Sequence, residues 1–149
     1  MRCRHCSEKL EISLANLGNA PPSNAYLTAQ NLNAPEKWYP LKVKICSHCW
    51  LAQTEDYAGF EELFSPEYAY FSSYSLTWLE HGKSYASQMI NRFTLNKNSM
   101  VGEIAANDGY LLQYFQEKGI VCYGVEPTKS TATVARDKGL TIFEKFFGC

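Results

Sequence analysis

Apolar and polar positions follow two different rhythms along this chain. From Ser99 onward short apolar runs alternate with stretches of helical spacing: "SMVGEIAA", then "DGYLLQYFQEKG" closing on Gly119, then "IVCYGVEP", "TKSTATVARDKG" closing on Gly139, and "LTIFEKFF". Strand, helix, strand, helix, strand at this spacing predicts a parallel sheet with right-handed crossovers, the opening half of a doubly wound α/β fold over residues 99–149. Such a sheet usually continues, so the sequence reads as stopping at an element boundary inside an unfinished domain. Upstream the rhythm is shorter. Leu41, Val43 and Ile45 alternate with Lys42 and Lys44 in "YPLKVKICSHCWLAQ", a hairpin pattern, and "LGNAPPSNAY" at 17–26 is rich in turn formers. Residues 1–60 are expected to be short strands and loops. Residues 61–98 read as a linker and a helix of about four turns after Ser75, with Trp78, Tyr85, Met89 and Phe93 near helical repeats. The predicted class is α+β / α/β: a small β-rich domain, a linker, then half of a cofactor-binding domain.

Composition narrows the partners. With 149 residues, 46% of them hydrophobic, the chain can bury one ordinary core or two small ones. Fourteen Lys and Arg against fifteen Asp and Glu, with no long run of one sign, argue against nucleic acid or an anionic membrane as the main partner. No apolar run approaches the roughly 18 residues that span a bilayer, and "MRCRHCSEKL" lacks the apolar core of a signal peptide. A soluble, cytoplasmic protein is the expectation.

Six cysteines change the picture more. Cys122 lies in a strand-like run and Cys149 is the last residue, but "CRHC" and "CSHC" place Cys3, Cys6, Cys46 and Cys49 in two Cys-x-x-Cys pairs. Each pair sets two thiols across a tight turn, and together they offer four thiolates in the tetrahedral array that suits Zn2+. A closed four-thiolate site has no open position, so this zinc is expected to be structural and to contribute folding energy to residues 1–60. His5 and His48, inside the turns, could replace a thiol but read as solvent-facing spacers.

The turn "VGEIAANDGY" carries the second chemistry. A strand ends in Glu103, the small Ala105 and Ala106 let the chain pass close to a ligand, and Gly109 opens the next helix after Asn107 and Asp108. A dinucleotide fold would want Gly-x-Gly-x-x-Gly, and one of those glycines is present. An acidic strand end followed by small residues better fits a cofactor without phosphates, such as S-adenosylmethionine. Glu126, followed by Pro127, ends the second strand 23 residues after Glu103, where a carboxylate can accept both ribose hydroxyls. NAD domains share that last feature.

These stretches, with "LGNAPPSNAY", "LFSPEYAYFSSYS", "GVEPTKSTATVARDKG" and the closing "FF" in the same order, resemble the S-adenosylmethionine-dependent sugar C-methyltransferases of deoxysugar biosynthesis, which carry an N-terminal zinc-binding domain. The resemblance departs at Ala105, where glycine is favoured; a methyl group fits there only if the backbone stays in a region open to L-residues. It implies methylation of a carbon on a nucleotide-linked 4-keto deoxysugar, by removal of the proton beside the keto group and attack of the enolate on the methyl sulfonium. Carried over residue by residue, it makes Tyr70 the acid/base tyrosine, lines the cleft with Tyr68, Ser72 and Ser73, and places Glu103, Ala105, Asn107, Asp108, Gly109, Glu126 and Pro127 at the cofactor. Without it, aromatics at this spacing read as packing, and His81 as a structural or exposed histidine. The resemblance places further catalytic residues and the sugar-nucleotide pocket later than Cys149, so the 149 residues are expected to fold around zinc without turning over.

Two other readings compete. A zinc-ribbon module for nucleic acid or a protein partner takes support from the knuckles and the neighbouring Lys42 and Lys44, against the balanced charge. A thiol oxidoreductase fails because neither Cys-x-x-Cys follows a strand and opens a helix.

Overall fold

A computed structural model describes residues 1–59, 63–64 and 68–148. Phe60, Glu61, Glu62, Ser65, Pro66 and Glu67, in and beside the expected linker, and Cys149 lie outside the described residues. The chain divides into two compact units, Met1–Leu63 and the remainder from Phe64.

The first unit is an antiparallel sheet of β1 (Ile12–Ala20), β2 (Tyr39–Ile45) and β3 (Ala52–Thr54), in that order. Ile45 pairs with both Ile12 and Ala52, so the second Cys-x-x-Cys is the turn between β2 and β3. Leu17 to Ala20, expected as loop, are the end of β1. Register shifts between Ser13 and Ala15 and between Asn16 and Asn19 let the strand bend and continue, with Gly18 at φ +78° and its N–H donated to Asn16 Oδ1 at 3.1 Å. The buried cluster of this unit is Cys3, Leu10 and Cys46, with Cys6 and Cys49 packed against it. Leu14, Leu17, Trp38 and Trp50 remain exposed, so its centre is built mostly of sulfur.

The second unit has a 3-10 turn at Ser72–Tyr74, α1 (Leu76–Phe93), and then β4 (Met100–Ile104), α2 (Leu112–Gln116), β5 (Val121–Val125), α3 (Lys129–Asp137) and β6 (Thr141–Phe143). The three strands are parallel and sequential, with Met100 opposite Val121 and Gly124 opposite Ile142. Ser75 caps α1 by accepting the Trp78 N–H at 3.2 Å, and Thr94 ends it in the left-handed region. At 18 residues α1 is longer than the expected four turns. Its inward stripe is Gly82, Ala86, Met89 and Ile90, whereas Tyr85 and Phe93 stay largely exposed. The aromatic spacing was helical, but the small residues set the packed face.

α2 also starts later than expected. Asn107 at φ +49° and Gly109 at φ +75° take residues 107–111 through turns before helical geometry begins at Leu112. One face of the sheet, with Val101, Cys122 and Ile142, packs on Ala106, Leu112, Ala132, Ala135 and Leu140. Met100, Ile104, Tyr123 and Phe143 on the other face are exposed. Among the described residues no helix is long and apolar enough to cross a membrane.

Candidate metal centre and cofactor cleft

The two knuckles fold alike. Ser7 N–H bonds the Cys3 carbonyl and Trp50 N–H the Cys46 carbonyl, both at 3.0 Å, while Cys3 and Cys46 donate to Glu8 and Leu51. Ser7 and Trp50 hold φ +62° and +63°, so each chain leaves its turn in the same left-handed step. The four sulfurs lie within 4.8 Å of one another, with Cys3 to Cys49 at 3.6 Å and Cys6 to Cys46 at 3.5 Å. Zinc–sulfur bonds of about 2.3 Å in a tetrahedron set sulfurs about 3.8 Å apart, whereas a disulfide sets them about 2.0 Å apart. The donor set therefore fits a tetrahedral zinc. Backbone N–H donation from Cys6 is the main cause drawing the Cys3 thiol down to about 6, and donation from Cys49 lowers Cys46, whereas burial raises Cys6 and Cys49; the last two thiols give up their protons when a metal binds. His5 and His48 are exposed. Lys44, beside the second knuckle, is engaged by Glu55 at 3.6 Å.

The second unit holds a cleft of about 550 Å³. Of the residues singled out in the sequence, Tyr68, Tyr70, Ser72, Ala105, Asn107, Glu126 and Pro127 line it. Phe64, Trp78, Tyr110, Thr128, Phe146 and Phe147 also line it and escaped the sequence reading of the site. For Thr128 a signal was there, as the residue directly after Pro127 at the start of a helix; the aromatics are brought in by tertiary folding alone.

Glu103, Asp108, Gly109 and Ser73 are not on that wall. Glu103 lines a smaller space of about 220 Å³ beside Met89, Leu111 and Phe115. At Gly109 a Cβ would stand 2.3 Å from Leu140 Cδ1, so its lack of a side chain serves packing as well as its positive φ. Asn107 and Asp108 clamp the preceding segment. Asn107 Oδ1 accepts the Ser72 N–H at 2.9 Å, Asn107 Nδ2 donates to the Tyr70 carbonyl at 3.2 Å, and Asp108 Oδ2 accepts the Ser73 N–H at 3.1 Å. Lys138 closes the clamp from the end of α3, donating to Ser73 Oγ at 2.9 Å and to the Asp108 carbonyl at 2.7 Å.

Ala105 stands at φ +59°. The condition set for its methyl group is not met, and this left-handed step costs roughly 1–2 kcal/mol relative to glycine. Glu126 is buried and accepts the N–H groups of Asn107 and Thr128, one on each oxygen, both at 2.9 Å. Each oxygen keeps a second lone pair. Burial, reinforced by the charges of Asp108 and Glu126, pushes Glu103 up to about 8. Glu103 Oε2, Asp108 Oδ1 and Thr128 Oγ1 are buried without a hydrogen-bond partner. Burial and then the Glu103 charge raise the Tyr110 hydroxyl. Such a centre has buried polar atoms left to be met.

Residues 3–64 match the Methyltransf_13 family, described as "Putative zinc binding domain". Over 138 residues, 93% of the chain, the sequence is 27% identical to the C-methyltransferase NovU of Streptomyces niveus, and it spans 33% of that protein's length. The tetrathiolate cluster falls inside the matched domain, and the chain as a whole is similar to a C-methyltransferase.

Proposed function

We propose that this chain supplies the zinc-binding and cofactor-binding parts of an S-adenosylmethionine-dependent C-methyltransferase acting on a nucleotide-linked 4-keto deoxysugar. The observation that carries the cofactor is a cleft walled by aromatic rings with the Glu126 carboxylate set into its wall. A sulfonium and an ammonium group are favoured by ring faces and by a carboxylate such as Glu126. A pyrophosphate placed against Glu126 would be repelled by it, which speaks against a dinucleotide. Thr128 Oγ1, buried and unpartnered on the cleft wall, and the spare lone pairs of Glu126 offer hydrogen bonds to a ribose.

Bound S-adenosylmethionine supplies an electrophilic methyl group. The chain's own part is to hold it and to manage protons beside it. Tyr70, half exposed on the cleft wall with its backbone carbonyl held by Asn107, is the candidate acid/base for the proton that must leave a carbon before it can attack. The four thiolates leave no open position on zinc, so its role is to hold the first unit together. The sugar substrate rests on the family resemblance and on the C-methyltransferase relative. Because the chain spans 33% of that relative's length, we propose that these residues alone bind the cofactor without turnover.

Calorimetric titration of the zinc-loaded chain tests this reading. S-adenosylmethionine is expected to bind, and NAD is expected not to bind. Binding of NAD in preference would overturn the cofactor assignment, and methyl transfer to a 4-keto sugar nucleotide by the chain alone would overturn the proposed lack of turnover.

A further inference from the structure

The two knuckles are matched in their backbone. Backbone N–H groups of Cys6 and His5 serve Cys3, those of Cys49 and His48 serve Cys46, and those of Glu8 and Leu51 serve Cys6 and Cys49. One residue breaks this symmetry. Gln53 in β3 is 5% exposed and donates Nε2–H to Cys3 Sγ at 3.3 Å. Its Oε1 accepts the Arg4 N–H at 3.1 Å, which fixes the amide with its nitrogen toward sulfur. Among the described residues no side-chain amide stands in the equivalent place at Cys46.

The geometry points to Gln53 as an outer ligand of the metal centre, one that holds the Cys3 thiolate against exchange and attack and so sets the order in which the four thiolates give way. Four thiolates around one divalent cation carry a net charge of about −2, and hydrogen bonds donated to sulfur spread that charge. A thiolate with more donors is the weaker nucleophile. Cys3 has the Gln53 amide besides its backbone donors and is buried, whereas Cys6 and Cys49 are half-buried. Electrophiles therefore take Cys6 and Cys49 first and Cys3 last. The same amide ties the first knuckle to β3, so the sheet and the metal share one hydrogen-bonded frame.

Limiting iodoacetamide on the zinc-loaded full chain, followed by peptide mapping, reads the order directly. Gln53→Leu is expected to raise alkylation of Cys3 and the rate of zinc loss to a chelator by about tenfold, the usual scale for losing an outer-shell partner. Gln53→Glu keeps an acceptor for the Arg4 N–H and removes the donor; it is expected to raise Cys3 alkylation as well, which a purely structural tie to Arg4 would not do. In the 113Cd-substituted wild type, a scalar correlation is expected between the metal and the Gln53 side-chain amide proton. This last measurement needs no variant to fold. Absence of that correlation, early alkylation of Cys3 in the wild type, or an unchanged rank of Cys3 in Gln53→Glu would each overturn the assignment.

Discussion

Glu103 shows how far a single residue's role departs from its place in a motif. As the acidic end of a strand it was legible as a functional carboxylate, yet its side chain faces the helix-covered side of the sheet, and the cleft wall is made by its neighbours. The sequence held the residue type but not the burial that sets its charge. In the unfolded chain its carboxyl ionises near 4.5, and in the folded unit near 8. Between those values the folded state holds a proton that the unfolded state has lost. Stability therefore falls as pH rises through this window, by at most about 1.4 kcal/mol per pH unit, and the loss is complete above the folded value. Glu103→Gln removes this term. Chemical denaturation of the two proteins is expected to give similar stabilities near pH 4 and an increasing advantage for the variant toward pH 8; curves that stay parallel across that range would reject the raised value. Ala105 teaches the same lesson in the backbone. The sequence marked it as standing where glycine is expected, and only coordinates show the left-handed angle that makes the methyl group costly.

At the scale of elements, strands β4 to β6 and the helices between them were readable from alternation, because each buries one face at its own period. The errors came where polar side chains redirect the backbone. Asn107 and Gly109 delay α2, and the Gly18 bulge extends β1 through a stretch that composition marks as loop. The clamp on residues 70–73 was unreadable for a related reason: Asn107 and Asp108 sit in the turn, their partners 35 residues earlier, and no local pattern links the two. That clamp makes a prediction of its own. Asn107→Ala deletes the bonds to the Ser72 N–H and the Tyr70 carbonyl and leaves the Ser72 N–H unsatisfied, which costs roughly 1–3 kcal/mol locally. Amide exchange at Ser72 is expected to accelerate about tenfold or more, while amides in β5 keep their protection. If Ser72 exchanged at the wild-type rate, the segment would have to be held by its own packing.

For the molecule as a whole the two units differ in what holds them. The second has two apolar clusters, one around Leu112, Ala132 and Ile142 and one around Ala86, Phe115 and Ile120, and needs no ion to close them. Among the described residues, the first has Leu10 as the one aliphatic residue in a buried cluster otherwise made of cysteine. A core that small supplies little hydrophobic free energy, whereas zinc bound by four thiolates contributes about 10–16 kcal/mol in comparable small domains. Four thiolates without their cation would also repel one another in a buried space. Stripping the metal is thus expected to unfold the first unit while the second persists. The measurement is residue-resolved amide exchange with and without a strong chelator: protection in β1, β2 and β3 should vanish, and protection in β4 and β5 should remain. Acid should do the same, because each thiolate must take up a proton as zinc leaves, so the first unit is lost at a higher pH than the second. Cys46→Ser, which removes one of the two fully enclosed ligands, should mimic the chelator at neutral pH. Retention of β1–β3 protection in metal-free protein would show that the sheet is sustained by its strand pairing and that the thiolate cluster is incidental to its fold.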